Sequence, residues 1–94
     1  MDIERINRVY RWMVDISQLW FTRNGNVAAS QNDIVGVKND LFFICQDTQK
    51  TFPLISSELF RLKDTLFLAQ GRINPVIFGE VISWLRFLEN TADN

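Results

Sequence analysis

The sequence predicts an all-α fold, a compact antiparallel four-helix bundle in a single helical domain spanning residues 1–94. Three observations carry this prediction. Apolar residues recur at spacings of three and four in four successive segments. Helix stops and starts, supplied by Gly, Pro, Ser and Asn, fall between those segments. The connections are only a few residues long, which favours antiparallel neighbours.

The first helix is predicted over about 2–23. Ile3, Ile6, Tyr10, Met13 and Trp20 form its stripe, Glu4 and Arg8 make a favourable i,i+4 pair, and Gly25 is the expected left-handed stop. The second is predicted over about 31–50. Ser30 and Asp33 form a capping box, and Ile34, Val37, Leu41, Ile44, Cys45 and Thr48 share a face. The third is predicted over about 53–70, opened by Pro53 at its first position and ended by Gly71. Its stripe is Ile55, Leu59, Leu62, Leu66 and Ala69. The fourth is predicted over about 75–90, with Asn74 as N-cap and Pro75 behind it. Ile77, Val81, Trp84, Leu85 and Leu88 line its inner face, and a frayed tail covers 90–94. Two places carry strand signals. The Asn24-Gly25 pair could close a hairpin, and Leu41–Cys45 reads as a buried strand by composition. Neither sustains alternation, and the second belongs to a longer helical pattern. Gly36 and Gly79 fall inside predicted helices, where either a close backbone neighbour or ordinary drift accounts for them.

Composition excludes much chemistry. The 94 residues contain no His, one Cys, and 10 Lys plus Arg against 11 Asp plus Glu, a net charge of −1. Imidazole bases and Cys/His zinc sites are therefore absent. The glycines do not form a phosphate loop. Cys45 falls on a core face, where an inert buried thiol is expected. Carboxylates such as Glu4, Asp15, Asp40, Asp47, Glu58, Asp64 and Glu80 are dispersed. The sequence thus points to no catalytic, cofactor-binding or metal-ligating residue. The lone cysteine, the absence of a signal core and the absence of a long apolar run point to a cytoplasmic protein without membrane attachment.

What remains is an apolar surplus. One stripe per helix fills a four-helix core, yet Trp12, Ile16, Leu19, Phe42, Phe60, Phe67 and Phe87 are left over, with Phe43 and Val35 also off the main line. Such residues either close gaps in an irregular core or form a contact surface. The first candidate for a partner or dimer interface is Trp12, Ile16 and Leu19, rimmed by Arg8; Phe60 and Phe67 are the second. The expected function is that of a small non-enzymatic protein acting through protein contact, with itself as a homodimer or with a larger protein as subunit, adaptor, inhibitor or immunity-type binder. Two alternatives compete. In one, the Arg5, Arg8, Arg11 and Trp12 face makes it a nucleic-acid-associated accessory protein, a reading weakened by Glu4 and Asp15 on the same side. In the other, carboxylates from different helices hold a divalent metal for catalysis.

Overall fold

A computed structural model describes residues 1–92, and these form four α-helices: α1 (Ile3–Thr22), α2 (Gln31–Thr48), α3 (Pro53–Leu62) and α4 (Pro75–Ala92). The helices start where the sequence signals place them. Asp2 caps α1 by accepting from the Arg5 N–H at 3.1 Å. Ser30 caps α2 through the Asp33 N–H, also at 3.1 Å. Asn74 Oδ1 reaches the Ile77 N–H at the start of α4, and Pro53 opens α3.

Pairs of residues joined across the helices set the topology. Asp47 accepts from the Asp2 N–H and Asp40 pairs with Arg8, so α2 runs opposite to α1. Ser56 Oγ donates to the Cys45 carbonyl and Phe60 meets Phe42, so α3 runs opposite to α2. Phe52, just before α3, meets Phe87 edge-to-face near the end of α4. The result is an antiparallel four-helix bundle in which α1 packs chiefly on α4 and α2 chiefly on α3. One core joins Ile6, Val9 and Met13 of α1, Leu41 and Ile44 of α2, Leu59 and Leu62 of α3, and Phe78, Val81, Leu85 and Leu88 of α4.

The structure departs from the predicted boundaries at three points. First, α3 ends at Leu62, eight residues before the predicted end at 70. A 3₁₀ turn (Lys63–Thr65) follows, and an irregular segment then doubles back so that Phe67 bridges to Ile73. This turn is closed by polar groups: Thr65 Oγ1 donates to the Leu62 carbonyl, Asn74 Nδ2 to the Thr65 carbonyl, and the Asn74 N–H to the Leu66 carbonyl. Leaving the helix lets both Leu66 and Ile73 reach the core, while Ala69, predicted to be in the stripe, is exposed. Second, the stop of α1 has two left-handed residues: Asn24 (φ 52°) takes the C′ position, and Gly25, left-handed as expected (φ 80°), follows it. The Asn24 N–H donates to the Phe21 carbonyl and the Gly25 N–H to the Trp20 carbonyl, the paired bonds of a Schellman stop. The Asn24-Gly25 pair therefore ends a helix and closes no hairpin. Third, α4 continues through Ala92, so the polar residues 90–92 are helical; positions 93 and 94 of the expected frayed tail lie outside the described residues.

The glycines separate into two kinds. Gly71 has φ +76°, and a Cβ there would sit 2.6 Å from the Ala29 carbonyl oxygen. That contact is where the α1–α2 loop docks on the α3–α4 segment, with the Ala29 N–H donating to the Gly71 carbonyl at 2.8 Å. Gly36 and Gly79 are different: a Cβ at either meets nothing within 4 Å. Close approach within the chain does not account for them.

Candidate functional site

The core takes up part of the apolar surplus. Ile6 and Met13 of the expected stripe are buried, joined by Val9 and Ile16, while Ile3, Tyr10 and Trp20 are only half-buried, so the inner face of α1 is rotated from the expected line. Phe78 is fully buried on α4 and lies 6.2 Å, ring to ring, from Trp12. Phe67 completes the trio, 5.6 Å from Phe78 and 6.3 Å from Trp12. Edge-to-face packing of this kind suits the ring quadrupoles. Trp12 and Phe67 are therefore half-buried, holding the irregular segment onto α1 and α4. Of the first candidate patch, only Leu19 and Arg8 stand out in solvent, and they are not joined by Ile16.

Arg8 is committed to its own chain. Its guanidinium donates to Asp40 at 3.0 Å, and that bond and the carboxylate charge raise its pKa further. Arg5 lies near the same carboxylate at 3.6 Å and near Asp2 at 3.8 Å. The arginine face proposed for nucleic acid is thus partly neutralised by α2, and its indole, Trp12, is engaged with Phe67 and Phe78. Among the described residues, no three His, Cys, Asp or Glu side chains gather as a metal-holding group. Cys45 is buried, and desolvation pushes its thiol up to about 11, so it is protonated at neutral pH.

Leu54, Phe21 and Val76 are the most exposed large apolar side chains and lie at separate helix ends, whereas Phe42 and Phe43 on the outer face of α2 join Phe60 of α3 in one row. Successive helical residues turn by about 100°, so the adjacent Phe42 and Phe43 splay to either side of the outward direction. Phe42 leans toward α3, 6.4 Å from the Phe60 ring, and Phe43 leans toward α1. The two rings meet edge-on at 5.8 Å. A cation closes each end of the row. The Arg5 guanidinium lies 4.7 Å from the Phe43 centroid and the Lys63 ammonium 4.4 Å from that of Phe60. Phe42, Phe43 and Phe60 remain 39, 47 and 50% exposed. Beside the row, Gln46, Gln49 and Ser57 line a shallow groove together with Phe42 and Phe60.

Phe60 is thus the one residue of the predicted patches that sits in a contiguous exposed aromatic surface. Phe42 and Phe43, which the sequence marks only as surplus, belong with it. The usable signal was an aromatic pair lying opposite the Leu41/Ile44 core line. Phe87, also left over, is 45% exposed beside Trp84 and meets Phe52 edge-to-face at the other side of α3. No helix among the described residues is long and apolar enough to cross a membrane. The sequence matches no family model, and neither a curated protein nor a solved structure shows significant similarity to it.

Proposed function

We propose that this protein is a non-enzymatic contact module that works by presenting the Phe43–Phe42–Phe60 row to another protein surface. The observation that carries the reading is the row itself: three rings, each about half exposed, contiguous across two helices and capped by Arg5 and Lys63. Exposed aromatics beside an arginine, here Arg5, have the composition of interface cores. Rings held by neighbouring rings and cations also lose little freedom on binding, which lowers the entropic cost of association. The function classes that fit are a homodimer, a subunit, an adaptor, or an inhibitor or immunity-type binder. A buried, protonated lone thiol is compatible with a reducing cytoplasmic setting.

The test is a photo-crosslinking amino acid at Phe43, with Ser83 on α4 as control. A discrete protein adduct from position 43 and not from 83 is the expected result. Absence of any discrete adduct at 43, in cells that make the protein, overturns the contact reading.

A further inference from the structure

Resting on that contact reading, we infer that the occupant of the aromatic surface is a second copy of this chain, docked through an antiparallel pairing of the two α2 helices centred on Asn39. The argument begins with the outward stripe of α2. At about 100° per residue, the positions within roughly 60° of Asn39 are Asn32, Val35, Gly36, Phe42, Phe43 and Gln46, and all are exposed. None of them carries a charge. Their spacing alternates three and four, the period at which one helix keeps a continuous seam against another.

The stripe is also complementary to itself when reversed. A two-fold axis at Asn39 places the layer containing Phe42 and Phe43 of one copy against the layer containing Val35 and Gly36 of the other. Asn32 then falls in the layer of Gln46, and Asn39 meets its own copy. Large rings oppose small residues, and each carboxamide, being both donor and acceptor, can pair with a carboxamide. A two-fold contact sets a patch against the same patch, so a central stripe without charge is what it requires. Gly36 gains a reason here that the single chain does not supply. A Cβ at Gly36 meets nothing within 4 Å, and that open space is where the rings of the second copy would seat.

The area is of the right size. Phe42, Phe43, Phe60 and Val35 are 39, 47, 50 and 48% exposed. With up to ~250 Å² per aromatic side chain, they offer at most roughly 400 Å² of apolar surface. A standard interface buries about 800 Å² per partner, of which somewhat over half is apolar. The carboxamides and the flanking side chains supply the polar share.

Sedimentation velocity from about 1 μM to 1 mM, with three variants, tests this. The wild type should sediment at twice the 11.0 kDa chain mass at high concentration. Phe42→Asp should weaken association at least tenfold with helicity unchanged. Gly36→Leu should do the same while raising the melting temperature of the dilute monomer, an outcome that a damaged fold cannot imitate. Asn39→Cys should form a disulfide-linked dimer under mild oxidation, and Ser83→Cys should not. A wild type that stays monomeric throughout overturns the inference, as does a dimer indifferent to both Phe42→Asp and Gly36→Leu. An adduct from position 43 at a mass other than twice the chain also overturns it, while leaving the contact reading intact.

Discussion

Replacing Gly71 with Ala tests how the two loops at one end of the bundle are held together. Gly71 has φ +76°, and an Ala in the left-handed region costs about 1–2 kcal/mol. The added Cβ would lie 2.6 Å from the Ala29 carbonyl oxygen, which is backbone and cannot rotate away. Relieving that contact displaces residues 28–29 and breaks the 2.8 Å bond from the Ala29 N–H to the Gly71 carbonyl. Loss of that bond adds about 1 kcal/mol. The total is about 2–3 kcal/mol, a large share of the ~5–14 kcal/mol expected of a domain this size. Urea denaturation followed by tryptophan fluorescence, with thermal melts followed by circular dichroism, measures it. At roughly 4–8 °C per kcal/mol, the melting temperature should fall by on the order of 15 °C. Gly79→Ala is the matched opposite. Its Cβ meets open space on an exposed helical face, so it should gain about 0.5–1 kcal/mol from helix propensity. A loss under 0.5 kcal/mol at Gly71, or destabilisation at Gly79, would refute the reasoning.

Three further outcomes follow from the packing. Cys45 keeps its proton to about pH 11 in the folded chain, against an ordinary value of 9.0. The unfolded chain therefore loses this proton first as pH rises, so the Cys45 contribution to stability is constant below pH 9 and falls by up to about 2–3 kcal/mol between 9 and 11. Comparing urea midpoints with Cys45→Ala, which should lack that part of the decline, checks the sign. Ser56→Ala removes the 2.7 Å bond from a buried hydroxyl to the Cys45 carbonyl and should cost about 1–2 kcal/mol by equilibrium unfolding. Trp12→Ala should cost about 3 kcal/mol because it strips the indole from the touching Phe67 and Phe78 rings. Leu19→Lys, at an exposed position near the end of α1, should cost less than about 1 kcal/mol; equal losses for these two would mean that Trp12 does not seal the core.

Much of the architecture was legible because it is local. Three- and four-residue spacing marks helices wherever it occurs, and Ser30, Asn74 and Pro53 act within a turn of where they stand. The end of α3 was not legible. Its apolar spacing continues past Leu62, but Leu66 and Ile73 both reach the core only if the chain leaves the helix, and burial outweighs the period. Phe78 was missed for a related reason: Ile77 fits an equally good stripe, and a rotation of about 100° between them is decided by what α1 presents. The candidate surface was half legible. Phe60 and the unused Phe42 could be read as surplus, whereas their union with Phe43, Arg5 and Lys63 depends on how α1, α2 and α3 sit side by side.

The sequence by itself determined four helices, their starts, a buried thiol and an excess of aromatic side chains over one core. Each of these follows from neighbours within a few residues or from composition. Only the tertiary structure decided which aromatics the core consumes and which it leaves outside. Trp12 and Phe67 pack inward against Phe78, while Phe42 and Phe43 of α2 and Phe60 of α3 stay in solvent because both helices turn their other sides to the core. That partition depends on the rotation of each helix about its axis, which is set by close packing against all the others at once.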